Sequence, residues 1–348
     1  MYKLLCEKFI YKNQNVLPFT YTCIQQCHTE VERKKNKSRV SNIKKYWFNR
    51  YIDYVQNFTH VLERNFPWTV KMYRVFSIGT KDFVIEMKRY LSILKKQNID
   101  GIRNLTLEEL QLNYTMRKDL IRICPFILIS AIPFTTYVTF PLAYYFPRHI
   151  LTSHYWTPQQ KIDFMLLDHK RRLKHNKPLF RCMQAELVKI KNQTLKTKWN
   201  DIIACLGSGT HPRVNDIIAC SELFSGPPYS LKNLRRRHVK ELLAIHDISS
   251  WTPFKKQKLK ARGMLIQQMD QAIQREGGIT KLSNDSIYWA LSFRGINPTN
   301  MSVESMQNWL DQWIVLSNAV NENNLSLLLH GPILLAYNYP SNWILIYS

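Results

Sequence analysis

Apolar residues recur along this chain at helical spacing, and strand-like alternation is almost absent. From Trp47 to Leu62 aromatic and aliphatic residues follow a three-to-four-residue rhythm. Residues 68–96 repeat it through Val70, Tyr73, Phe76, Phe83, Met87, Tyr90, Leu91 and Leu94, with Lys71, Arg74, Lys81, Lys88, Lys95 and Lys96 interspersed. That pattern predicts a basic amphipathic helix, packed on a partner or lying at a membrane surface. Thr106 followed by Glu109 reads as a capping box opening the next helix. We assign 47–119 to amphipathic helices leading into the segment that follows.

From Ile123 to Phe146 no residue carries a charge. About 20 apolar residues cross a bilayer core as a helix, so 120–147 is predicted to be a single transmembrane helix, from Leu120 to the Phe146-Pro147 pair. Pro125, Pro133 and Pro141 recur every eighth residue in it. Each removes a backbone donor and clashes with the preceding turn. Membrane helices tolerate this where neighbours satisfy the freed carbonyls, so the spacing suggests contact with other protein, a copy of this chain included. Arg117, Lys118 and Arg122 flank one end and Arg148 the other, which leaves the positive-inside rule unable to orient the span.

Residues 148–345 predict an all-α bundle. Thr157-Pro158 reads as N-cap and N1. Helical periodicity runs from Phe180 to Ile203, through 253–275, and again through 283–293, 301–317 and 325–336. The sequences GSGTHP and SGPPYS break it. Leu325–Tyr339 is apolar, but His330, Gly331 and Pro332 interrupt it, and its length suits a buried core helix.

Composition changes this picture in three ways. The net charge is +24 and the pI about 9.8, a field that favours polyanions, either nucleic acid or an anionic membrane surface. Seven cysteines at irregular spacing, without a CxxC pair, indicate neither a disulfide framework nor a zinc site. Residues 1–46 comprise a basic, acid-poor amphipathic start, which suits a mitochondrial presequence though short of Arg and Ser, and a polar basic linker.

Several segments resemble the LETM family of mitochondrial inner-membrane proteins. They are LTLEELQLNYTMRKDLIRICPFILISAIPF at 105–134, the Phe146-Pro147 exit, LSFRGINPTNMSVESMQNWLDQWIVLS at 291–317 and LSLLLH at 325–330. Their order and spacing carry the likeness, which covers roughly residues 70–340 and is greatest to the short members lacking coiled coils and an EF-hand tail. The resemblance implies an inner-membrane protein whose matrix domain, similar to a 14-3-3 bundle, binds the mitochondrial ribosome or its assembly factors. It also implies inner-membrane lipids, such as cardiolipin, as partners. Cation/proton exchange is a further property attributed to the family, and a membrane-shaping scaffold is a third reading. Here Thr136 stands where founding members carry a mid-membrane carboxylate, and Tyr144 where they carry a lysine. A proton-coupled carrier needs a titratable group in the membrane, and Thr136 is none.

The best candidate binding site is the basic set Lys232, Arg235, Arg236, Arg237, His238 and Lys240, with a second run, Lys255, Lys256, Lys258, Lys260 and Arg262. Arginine forks grip phosphate bidentately, and each neutralised phosphate releases counterions. Helical spacing would put Lys232, Arg236 and Lys240 on one stripe. A third run, Lys170, Arg171, Arg172, Lys174 and Lys177, could meet anionic headgroups. A solvated helix face would look the same in sequence. Enzyme readings fail: there is no HExxH, no P-loop lysine and no GxSxG elbow. No catalytic residue, cofactor or metal is therefore expected. Trp309 and Trp313 read as core, and Arg294-Gly295 as a structural corner closing a helix.

Overall fold

The computed structural model describes residues 67–130, 132 and 135–347. The expected targeting segment, the linker and the helix over 47–62 lie outside the described residues, as do Pro133 and Phe134. Among the described residues every regular element is helical. The helices are α1 (Pro67–Asp100), α2 (Leu107–Ser130), α3 (Thr136–Tyr145), α4 (Pro147–Ile150), α5 (Pro158–Leu173), α6 (Asn176–Glu186), α7 (Gln193–Gly207) and α8 (Val214–Ala219). They continue with α9 (Glu222–Ser225), α10 (Arg236–Ile245), α11 (Lys255–Arg275), α12 (Asn284–Arg294), α13 (Val303–Asn318), α14 (Leu325–Ala336) and α15 (Pro340–Tyr347).

The described residues divide into two compact units, 67–89 with Met116–Lys161, and Tyr90–Thr115 with 162–347. In the first, Gly79 lets α1 approach the turn after α4: a Cβ there would lie 2.6 Å from the His154 carbonyl oxygen. Phe76 meets Tyr155 at 5.2 Å between ring centroids, and Phe83 meets His154 edge-on at 5.5 Å. The Arg122 guanidinium sits 5.6 Å from the Trp156 ring, whose Nε1 donates to the Pro147 carbonyl.

The uncharged segment departs from the expected single span. Pro125 is accommodated inside α2, but the helix stops at Ser130, and α3 begins only at Thr136. The Thr135 hydroxyl accounts for part of this: its Oγ1 lies 2.6 Å from the carbonyl oxygen of Ile129 and 2.7 Å from that of Ile132. A hydroxyl reaching back to carbonyls in this way offers the backbone an alternative to the helical ladder. Among the described residues no helix is long and apolar enough to cross a membrane. The first half of α2 carries charges up to Arg122, and α3, which contains Pro141, has only ten residues. Ile121, Leu128, Val138, Tyr145 and Phe146 are each more than half exposed.

The second unit holds the part of the expected bundle from Ile162 on, together with Tyr90–Thr115, and residues 148–161 fall in the first. The Thr106–Glu109 capping box forms reciprocally: Glu109 N–H donates to Thr106 Oγ1 at 3.2 Å and Thr106 N–H to Glu109 Oε2 at 2.9 Å. In the first unit, Thr157 and Gln160 pair in the same manner at the start of α5. The apolar α14 is buried along its whole length and forms the bundle's axis, packed on α11, α9, α13, α10 and α6. Gly331 admits the Trp313 indole, which a Cβ would approach to 2.6 Å. Trp309 and Trp313 are both core residues and stack at 5.5 Å.

Arg294-Gly295 is the corner the pattern predicted. Gly295 ends α12 at φ 96°, a left-handed conformation suited to glycine. Arg294 is fully buried, and its Nη2 pairs with Asp270 at 2.5 Å. The other Asp270 oxygen accepts from Trp313 Nε1 at 3.1 Å and Ser317 Oγ at 2.6 Å. Every polar atom of the pair has a partner, the condition under which a buried ion pair is tolerated.

Candidate functional site

The basic surface is built on α10, α11 and the turn before α10. On α10 the 3.6-residue period turns His238, Val239, Leu242, Leu243 and Ile245 inward, and Arg236, Arg237 and Lys240 outward. On α11 it buries Leu259, Arg262, Gly263 and Ile266 and leaves Lys255, Lys256, Lys258 and Lys260 in water. The two helices pack directly on each other, so both runs fall on one side of the bundle. Lys256 Nζ donates to the Lys232 carbonyl at 2.6 Å, tying the start of α11 to the turn that precedes α10.

All nine expected site residues are therefore exposed: Lys232, Arg235, Arg236, Arg237, Lys240, Lys255, Lys256, Lys258 and Lys260. Three details differ from expectation. Lys232 is not on the Arg236/Lys240 stripe, because α10 starts only at Arg236. Arg235 is engaged by the buried Glu186, Nε to Oε1 at 2.9 Å, which already holds Lys189. His238 and Arg262 face the interior. Among the described residues no acid pairs with Arg236, Arg237, Lys240, Lys255, Lys258 or Lys260, which leaves six cations open to an outside anion.

His238 belongs to a buried imidazole chain. His330 Nδ1 lies 2.7 Å from the Ser326 carbonyl and must donate to it, so its Nε2 is the acceptor. His238 Nε2 then donates across 2.7 Å, leaving His238 Nδ1 a bare, unpartnered acceptor. His246 donates to the Leu329 carbonyl at 2.9 Å. Burial keeps all three neutral, pushing His330 down to about 4 and His238 and His246 below their ordinary value.

The third basic run scatters. Arg172 points inward, donating to the carbonyls of Ile245, Ser292 and Phe293 at 2.7, 2.8 and 3.2 Å, at the C-termini of α10 and α12. Burial, with Arg262 nearby, pushes its guanidinium down to about 10. Arg171 pairs with Asp247 at 2.9 Å. Lys174 and Lys177 remain exposed.

In the other unit the structure adds a carboxyl that the pattern did not single out. Asp119 is buried, and desolvation raises it above its ordinary range against the pull of His154, Arg122 and Lys118. Nearby, His154 Nε2 lies 2.9 Å from Glu86 Oε2, and that hydrogen bond holds Glu86 below its ordinary range. In the bundle unit a cavity of about 200 Å³ with mixed polar and apolar lining opens beside Arg103, Lys260, Met264, Gln267, Glu322 and Leu325. Among the described residues no group of three His, Cys, Asp or Glu is placed to hold a metal.

Comparison with known proteins matches residues 105–334 to the family described as LETM1-like, RBD. LETM1 domain-containing protein 1 of Xenopus tropicalis is 30% identical over 321 residues, covering 90% of this chain and 89% of its own length. The human protein of that name is 30% identical, covering 87% and 85%, and the Bos taurus protein 32% identical, covering 80% and 78%.

Proposed function

The chain belongs to the LETM1-like family, and from that premise we propose that it is a non-enzymatic, membrane-associated docking protein of mitochondria whose helical bundle binds the mitochondrial ribosome or its assembly factors. The observation that carries the reading is the joining of two basic runs by Lys256 and Lys232 into one exposed surface. A solvated helix face would not need its cations gathered from two helices and a turn. Six of them lack an acidic partner among the described residues, the state in which a cation exchanges counterions for phosphate most readily.

Membrane association rests on the uncharged segment. Its apolar side chains are exposed on α2 and α3, and no described helix crosses a bilayer alone. We read α2 and α3 as a broken hairpin-like insertion or as one layer of an assembly with further copies, either of which would cover those side chains. The matrix placement of the bundle and the contact with cardiolipin-like headgroups belong to the same proposal. Such a protein would hold translating ribosomes near the membrane that receives their products, and respiratory-chain biogenesis and ion balance would depend on it indirectly.

The test is co-sedimentation of the full chain with mitochondrial ribosomes across a salt series. Arg236→Glu with Arg237→Glu should weaken it at least tenfold, since close phosphate contacts fail steeply when their charge is reversed. Unchanged sedimentation would remove the basic surface from the account.

A further inference from the structure

The loop between α10 and α11 displays two large aromatic side chains to solvent. Trp251 is 95% exposed and Phe254 72%, the most open tryptophan and phenylalanine among the described residues. The display is built into the backbone. Phe254 sits at φ 54°, a left-handed conformation that residues other than Gly, Asn and Asp avoid. Strain of this kind persists where the surrounding structure imposes it, and it concentrates at functional positions.

The loop pairs part of its own backbone. Trp251 N–H donates to Ser249 Oγ, Thr252 N–H and Oγ1 to the Ser249 carbonyl, and Ile248 N–H to the Leu243 carbonyl. Lys258 N–H in turn donates to the Phe254 carbonyl.

Its surroundings are uniformly positive. Lys255, Lys256 and Lys258 follow Phe254 directly and are exposed, and no acidic residue occurs between Asp247 and Asp270. Asp247 itself is held by Arg171. Aromatic residues that prefer the headgroup level, collared by lysines whose stems are apolar and whose heads are cationic, form an interfacial anchor for an anionic bilayer.

We propose that this loop is a second membrane contact, a Trp251–Phe254 wedge that inserts among the headgroups of an anionic lipid surface. Nucleic acid could use the same charges, but base stacking needs a ring held in place on one face. Trp251 is open on nearly all sides. A ring with no backing suits a fluid interface.

The collar lysines Lys255, Lys256 and Lys258 also belong to the proposed ribosome-binding surface, so the readout is taken on the aromatic tip itself. The full chain is reconstituted into vesicles of zwitterionic or of anionic phospholipid, and solvent-exposed aromatics are oxidised by a pulse of hydroxyl radicals and quantified by mass spectrometry. Oxidation of Trp251 should fall about fivefold in anionic vesicles, while Tyr288, an exposed aromatic on α12, is unchanged. Lys255→Glu with Lys256→Glu should restore the Trp251 signal, and Arg236→Glu with Arg237→Glu should leave its protection intact. Equal oxidation in both lipids overturns the proposal. So does protection of Trp251 by added ribosomal RNA in detergent without lipid, which would give the loop to nucleic acid instead. Ribosome co-sedimentation of the Trp251→Ala, Phe254→Ala variant in detergent should match the unaltered protein, and a loss there contradicts the lipid assignment.

Discussion

α11 carries cations on two faces, and the bundle treats them in opposite ways. On the inner side Arg262 lies 3.7 Å from the Phe293 ring and 4.8 Å from that of Tyr114, while Arg172 and Arg294 bury their guanidinium groups nearby against carbonyls and Asp270. On the outer side Lys255, Lys258 and Lys260 have no fixed partner among the described residues. The difference is one of chemistry. A planar guanidinium can be dehydrated against ring faces, as Arg262 is although its buried Nε has no hydrogen-bond partner, whereas an ammonium is strongly hydrated and stays in water. Inner arginines therefore hold the fold, and outer cations are available for binding. Counting charges along the sequence merges the two classes.

The contrast breaks most visibly at Arg294. Arg294→Met leaves the Asp270 carboxylate buried without its countercharge and should lower bundle stability by about 3–5 kcal/mol in a urea titration. Replacing both partners, Arg294→Met with Asp270→Leu, should recover part of that loss, because the buried charge is gone while Trp313 Nε1 and Ser317 Oγ lose their acceptor.

Acid probes the interior next. His330 has a folded value of about 4 against an ordinary 6.5, so the unfolded chain binds the extra proton. Its contribution is complete above pH 6.5 and is lost as the pH falls from 6.5 through 4. At pH 5 that amounts to about 2 kcal/mol from this residue alone. Urea midpoints at pH 7 and pH 5 measure it, and His330→Phe should reduce the dependence while leaving the share due to His238 and His246.

The outer face should answer least. Arg236→Glu with Arg237→Glu is expected to change stability by no more than about 0.5 kcal/mol, as exposed substitutions do. A larger loss in the same titration would show that these side chains belong to the fold.

Much of this architecture was legible in the sequence. Helical periodicity located the bundle, the Thr106 and Thr157 caps formed as their spacing required, and Leu325–Ala336 is the buried axial helix that its length implied. What stayed hidden depends on tertiary geometry. No local pattern distinguishes Arg172 and Arg262, which turn inward, from Arg236 and Lys258, which do not. Asp270 and Arg294 are far apart in sequence and meet only when α11 packs near α12. Lys232 looked like a member of the α10 stripe because nothing before Arg236 marks the helix start strongly. The break in the uncharged segment was hidden for a related reason: apolarity predicts where a chain can be buried, and the Thr135 hydroxyl reaching back to carbonyls is part of what ends the helix. Exposure of Trp251 ran against the usual rule that aromatics seek the core, so no pattern of apolar positions could have exposed it.

The most direct measurement is the salt dependence of ribosome binding by the full chain. Log affinity plotted against log salt for the unaltered protein should have a steep negative slope, one that flattens by about two contacts' worth in the Arg236→Glu, Arg237→Glu variant while Arg171→Ala leaves it unchanged. Identical slopes for all three proteins would mean that the exposed face of α10 does not meet phosphate, and the docking account would fall.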